Sequence, residues 1–300
     1  MAVNRRDFLA GAAAIAAAGA GKAMAQGSAA KGSDSKAGND RRPLRIGMTD
    51  WNLGERGVVE KVELARKIGL DGIQVSVLYP EDGIHLRCPK LQAEYRKAAL
   101  DNGVQICSLA IGDLGAGSPM KSEPVGAIRI NDAIEVAANI GTNNILLPFF
   151  RDRTPKNDID FGRMISMFKE IARTAEQYQV VVAMETSMSA EDHLRIIDGV
   201  GSEYIGVYMD PWNCGYYGHD PMVDVPLLKD HIHQVHVKNR DQYMDGPNEL
   251  GFKWTEMAEL FYKVGYKGWY VLETSLPKED MIGDTRHNME VLKKMFRMPA

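Results

Sequence analysis

Four side chains able to hold a metal or move a proton close four successive apolar runs in the second half of this chain. The runs end Ala183-Met184-Glu185-Thr186, Tyr208-Met209-Asp210-Pro211, Val235-His236-Val237-Lys238 and Val271-Leu272-Glu273-Thr274. Each is short and apolar, the pattern of a buried strand, so Glu185, Asp210, His236 and Glu273 are expected at one end of a sheet. A single glutamate at a strand end is ordinarily a solvated loop residue or half of an ion pair. Three carboxylates and an imidazole with no cation among the four would repel one another, and desolvating them is costly. A divalent cation removes that repulsion. Carboxylate oxygens with one nitrogen suit a fairly hard ion: Mn²⁺ first, with Mg²⁺, Co²⁺ or Zn²⁺ as alternatives.

Positioning four such groups requires a repeating scaffold. Strand-like runs occur at 44–48, 72–77, 104–110, 144–148, 180–185, 205–210, 232–238 and 268–273. Helically spaced apolar residues lie between them: Ala127, Ile130, Ile134 and Ala137; Met164, Phe168, Ile171 and Ala175; Met257, Leu260, Phe261 and Val264; and a last segment from Ile282 to Phe296. The junction from Lys67 to Val75 parallels that from Lys263 to Val271, each with one glycine to end a helix and another to open a strand. A βα unit repeated eight times predicts a closed (βα)8 TIM barrel as a single domain over 43–300, with its chemistry at the C-terminal ends of the strands. An open doubly wound sheet would place a glycine-rich phosphate turn after the first strand, where this chain has Met48-Thr49-Asp50-Trp51.

This pattern resembles the xylose isomerase-like TIM barrels, in particular their sugar phosphate isomerase/epimerase group, over residues 44–296. The resemblance rests on Met184-Glu185, Met209-Asp210-Pro211-Trp212-Asn213, His236-Val237-Lys238 and Leu272-Glu273. It implies that Glu185 and Glu273 both ligate the metal and act as acid/base groups, with Asp210 and His236 mainly as ligands. The expected reaction is sugar isomerisation or epimerisation by proton transfer through a metal-stabilised enediolate. The ketose 3-epimerases of this family carry a histidine three residues after the aspartate; Asn213 stands there, and Arg240 does not match their loop arginine cleanly.

Trp51, Trp212, Asn213, Lys238 and Arg240 are the expected substrate contacts. Phe149, Phe150 and Tyr216 are further aromatics that could stack on a sugar. Lys238 shares the side of its strand with His236 and would meet either a substrate anion or a barrel carboxylate. His85 and His219 sit in loops; His231 and His233 lie at the wrong end of their strand for catalysis. No phosphate-cradling glycine run follows the seventh or eighth strand, which favours a free or keto sugar. A lyase or dehydratase on the same site, and a non-catalytic sugar-binding barrel, are the competing readings. A nuclease on this barrel would need more histidines and a basic surface.

Residues 1–25 predict export. Asn4-Arg5-Arg6-Asp7-Phe8-Leu9 resembles a twin-arginine motif, a weakly apolar Ala/Gly run follows, and Ala23-Met24-Ala25 is a small-x-small cleavage pattern. The run is too short and too weakly apolar for a membrane span. Residues 26–42 read as a flexible linker. A periplasmic or otherwise exported location is expected, with a small-molecule sugar as partner and homo-oligomerisation left open. The formal charge is −4, and about −6 without residues 1–25, which carry Arg5, Arg6 and Lys22 against Asp7. Such a chain has no electrostatic reason to bind nucleic acid or, after signal removal, an anionic membrane. Three cysteines in no metal-type spacing give no disulfide framework.

Overall fold

Strands with both faces covered need apolar residues at nearly every position, and most of the eight runs meet that requirement, the chief exception being the run with His233, Gln234 and His236. In a computed structural model describing residues 44–78, 86–112, 118–121, 123–275 and 280–297, all eight form strands. They are β1 (Arg45–Thr49), β2 (Gly72–Val77), β3 (Gln105–Ile111), β4 (Asn144–Phe149), β5 (Val181–Thr186), β6 (Ile205–Met209), β7 (Ile232–Val237) and β8 (Trp269–Leu272). Each end falls within one residue of its expected place. Residues 1–42 and His85, with the expectations attached to them, lie outside the described residues.

The strands pair in parallel in sequence order and close as β1 meets β8, with Arg45 opposite Trp269 and Met48 opposite Leu272. The helices are α1 (Lys61–Ile68), α2 (Pro89–Asn102), α3 (Pro124–Ile140), α4 (Asp158–Tyr178), α5 (Ala190–Val200), α6 (Pro211–Tyr216), α7 (Pro221–Leu228), α8 (Trp254–Lys263) and α9 (Met281–Arg297). The helix ends follow the expected chemistry. Gly69 takes the left-handed conformation at φ 100° and caps Ala65 and Arg66 of α1. At the end of α4 the same role falls to a non-glycine residue, Gln179, at φ 55°.

Two cores result. The larger lies between the strands and the helices, with Ile73, Ile130, Phe168, Val182 and Phe261 fully buried. The smaller fills the barrel itself with Cys107, Leu146, Ala183, Tyr208 and Val271. Cys107 is free, and burial pushes its thiol up to about 12, so it packs as an inert apolar group. On β2 a β-carbon on Gly72 would stand 2.8 Å from the Trp269 ring, so any larger residue there would force that ring to shift.

Candidate metal centre

Glu185 is the penultimate residue of β5, and His236 that of β7. Asp210 and Glu273 follow directly after β6 and β8, where the expected strands had included them. Asp210 leaves its strand because it caps α6: its Oδ1 accepts the Asn213 amide N–H at 2.9 Å, with Pro211 at the first helical turn. Its Oδ2 is thereby left to face the barrel axis. Glu273 stays in the ladder through its N–H, which donates to the Val237 carbonyl at 3.0 Å. The four residues bring one ligand atom each to within 4.8 Å of one another, and all but Glu273 are buried.

The imidazole shows what this cluster is built to receive. Gln74 on β2 donates both amide hydrogens, to Ser108 Oγ at 2.9 Å and to Tyr208 Oη at 3.1 Å. Its Oε1 must therefore accept the His236 Nε2–H at 3.0 Å. In the neutral imidazole that assignment leaves Nδ1 as a bare lone pair, fully buried and without a hydrogen-bond partner. It faces Glu185 Oε2 at 3.3 Å, Glu273 Oε2 at 3.4 Å and Asp210 Oδ2 at 4.0 Å. Four lone pairs converging in a buried site fit a cation, with Gln74 fixing the tautomer as an outer partner does for a ligating histidine. Tyr208 packs 4.4 Å from the imidazole centroid and holds the ring in place.

The sequence offered no cation among the four; the fold supplies one beside them. Lys238 Nζ lies 2.6 Å from Asp210 Oδ2 and 2.7 Å from Glu273 Oε2. The alternation of β7 continues past its end, so Lys238 projects to the same side as His236 and pairs with barrel carboxylates. Burial pushes the Lys238 ammonium down, but Asp210 and Glu273 more than reverse this and its proton is held firmly. Burial likewise opposes the charged forms of Glu185 and His236. His236 and Lys238 nevertheless hold Glu185 below its ordinary value, while Glu273 and Glu185 hold His236 above its own. For Asp210 burial wins, and its carboxyl rises to about 6.

Above the cluster opens a cavity of about 400 Å³, within the range of small-molecule sites. Glu185, Glu273, Lys238, Asn213, Trp51 and Phe150 are among its walls. Trp51 Nε1–H donates to Glu273 Oε1 at 3.2 Å, and the Asn213 side-chain amide donates to Glu185 Oε1. Two expected contacts fall elsewhere. Trp212 is buried behind the wall, its ring stacked on Tyr216 with centroids 5.2 Å apart. Arg240 is exposed, takes a left-handed backbone at φ 52° and turns to Glu249 at 3.1 Å. Phe149 is core, and the His219 ring lies 3.2 Å from the Ser187 carbonyl, outside the cavity wall.

Sequence reading missed three groups around this site. Gln74 had a faint signal, a polar residue inside an apolar strand. Asp50 had none: it is buried, and accepts Ser76 N–H at 2.8 Å, Ser76 Oγ–H at 2.6 Å and Gly57 N–H at 2.8 Å. Arg56, in the same loop, also reaches the cavity wall.

Several epimerases are similar to this chain. A 2-epi-5-epi-valiolone 7-phosphate 2-epimerase from an Actinoplanes species is 28% identical over 212 residues, 69% of this chain and 74% of that protein. A D-psicose 3-epimerase from Enterocloster bolteae is 22% identical over 142 residues, 44% of this chain and 46% of its own length. The crystal structure of a 3-keto-D-glucoside 4-epimerase from E. coli superposes with a TM-score of 0.68 at 16% identity, over 84% of this chain and 100% of that one. Residues 62–295, from α1 almost to the end of α9, match the family described as the xylose isomerase-like TIM barrel, and this chain belongs to that family.

Proposed function

We propose that this protein is a divalent-metal-dependent sugar isomerase or epimerase that moves a proton beside the carbonyl of a free or keto sugar. One observation carries the reading. Glu185 and Glu273 both line the cavity, and both belong to the cluster that faces the bare Nδ1 of buried His236. The epimerase activities in the names of the relatives support it. A divalent ion held by Glu185, Asp210, His236 and Glu273 would supply Lewis-acid polarisation of the substrate carbonyl and offset the charge of the enediolate.

The protein's own groups perform the proton transfer. β6 and β7 separate the strands that carry Glu185 and Glu273, so the two carboxylates meet a bound sugar from different sides. One takes the proton beside the carbonyl. Epimerisation follows when the other returns a proton to the opposite face, and isomerisation when the proton goes to the neighbouring carbon. Both are held for the task. Lys238 and Trp51 engage the two oxygens of Glu273, and Asn213 engages Glu185. On the strength of residues 1–25 we also propose export by the twin-arginine route, with Gln26 as the first residue of the mature chain.

Elemental analysis of the mature protein, followed by proton-exchange NMR in D₂O against a panel of ketoses and keto sugars, tests the function. Bound metal with exchange on at least one sugar is expected. Metal without exchange sinks the isomerase reading, and loss of a hydroxyl in place of exchange points to a lyase. No metal, with stability unchanged in Glu185→Gln and Asp210→Asn, sinks the site. N-terminal sequencing of the exported form checks the cleavage point.

A further inference from the structure

The charged residues of the cavity wall are not all committed to the cluster. Among the described residues they are Arg56, Glu185, Lys238 and Glu273. The last three are engaged with one another and with Asp210 and His236. Arg56 forms no ion pair with a described residue; its guanidinium lies over the Trp51 ring, 5.6 Å from the centroid. Two further described cations outside the cavity wall are engaged, Arg240 with Glu249 and Arg151 with the Tyr216 hydroxyl.

The loop that presents Arg56 is anchored rather than free. Asp50 is 1% exposed and takes no part in the cluster, yet all its described hydrogen bonds organise this side of the cavity. It accepts the N–H of Gly57, which holds the loop one residue beyond Arg56, and both the N–H and hydroxyl of Ser76, which also lines the cavity. Gly54 and Gly57, at φ 112° and 68°, allow the tight return that this anchor needs. Trp51 links the loop to the chemistry: its indole N–H reaches Glu273 at 3.2 Å while its face carries Arg56. A cation is thus held about one indole ring from the reacting end, a span that a single sugar covers.

We propose that Arg56 is the receptor for an anionic substituent, a carboxylate or phosphate, on a sugar whose carbonyl lies at the Glu185–Glu273 end. This deepens the isomerase/epimerase reading and rests on it for the position of the carbonyl; a phosphate at Arg56 would replace the free sugar of that reading with a phosphorylated one, held by a side chain rather than by a glycine-rich loop. A guanidinium presents a planar fork of donors that matches either oxyanion bidentately, and Trp51 keeps that fork oriented. Buried Asp50 feels the Arg56 charge but forms no ion pair with it, so the guanidinium fork stays open to an incoming oxyanion.

Three probes share one ketose frame and differ at C6: D-fructose, D-fructuronate and D-fructose 6-phosphate. Binding to the metal-loaded protein is measured by calorimetry, and exchange at the carbon beside the carbonyl by NMR in D₂O. At least one charged probe should bind about ten-fold or more tightly than fructose at low salt, with the advantage shrinking as salt rises. The charged-to-neutral ratio should fall toward one in Arg56→Gln and recover in part in Arg56→Lys. The stronger of the two charged probes identifies carboxylate or phosphate as the group received. Equal binding of all three, no binding of either charged probe, or a preference that Arg56→Gln leaves intact overturns the proposal. Charge-selective binding without exchange supports Arg56 as receptor while sinking the isomerase reading, so the two can fail separately.

Discussion

Replacing Lys238 with methionine measures how much of the metal-free site is held by an internal cation. The substitution keeps most of the side-chain volume and removes the charge that lies 2.6 Å from Asp210 and 2.7 Å from Glu273. Taking one partner from a buried ion pair costs about 3–5 kcal/mol, because the other charge stays buried and uncompensated. The lower end applies here, since the Glu273 side chain is 21% exposed and Asp210 can take up a proton. For a domain of this size about 3 kcal/mol lowers the melting temperature by roughly 6–12 °C. Saturating Mn²⁺ supplies the missing charge from outside, so the same substitution should cost less than half as much in the loaded protein. Thermal melts of parent and variant, each stripped with chelator and then loaded, give the four values needed. A metal-free variant melting within about 2 °C of the parent, or an equal loss with and without metal, would refute the account of the cluster as a set of repelling charges.

Other perturbations probe the same centre by different routes. Gln74→Leu removes the acceptor that fixes the His236 tautomer and should weaken metal binding about 10–100-fold in a chelator competition, with the fold retained by circular dichroism. Glu185→Gln and Glu273→Gln should each lower proton exchange by about 10²–10⁴-fold; residual exchange near the parent rate in either would remove that residue from the acid/base pair. The metal-free and metal-loaded proteins should respond oppositely to acid. Asp210 is raised to about 6, and a carboxyl with a raised folded-state pKa gains stability for the fold as pH drops through that value toward its unfolded one. His236, also raised, adds stability that is complete below its unfolded value and lost as pH rises through its folded one. Glu185, held low, gives its contribution up only at still lower pH. The metal-free melting temperature should therefore rise from about pH 7.5 to 5.5, whereas the loaded one should fall as protons displace the ion. Parallel slopes would contradict the assigned shifts.

The barrel and its four ligand positions were legible because each rests on local pattern. A strand end is visible in a handful of residues, and four strand ends in succession carry neighbouring side chains in any parallel barrel. What decides the chemistry around them is not local. Gln74 and His236 meet across the barrel interior from β2 and β7, a pairing that needs the inward register of both strands. Lys238 could be placed on the correct side of β7, but its choice between substrate and carboxylate depends on where Asp210 turns out of β6 to cap a helix. Trp212 was expected at the cavity as a loop aromatic able to stack on a sugar, and Arg240 from its nearness to the loop arginine of the ketose epimerases. The turn into α6 buries the first, and the left-handed step after β7 sends the second to Glu249. Asp50 and Arg56 belong to a loop whose shape is set by glycine conformations and one buried carboxylate, and nothing in its composition announces that.

The meeting of β1 with β8 bears on when the centre can come into being. The four metal-binding candidates sit on or directly after the last four strands, while the residues that orient them, Gln74 for His236 and Trp51 for Glu273, sit on or beside the first two. During synthesis Gln74 and Trp51 must wait for nearly the whole chain before His236 and Glu273 emerge. Glu273 is set in place only when the final strand docks on the first. No nascent intermediate therefore presents all four groups together, and an ion held by the four would be captured only after the ring has closed.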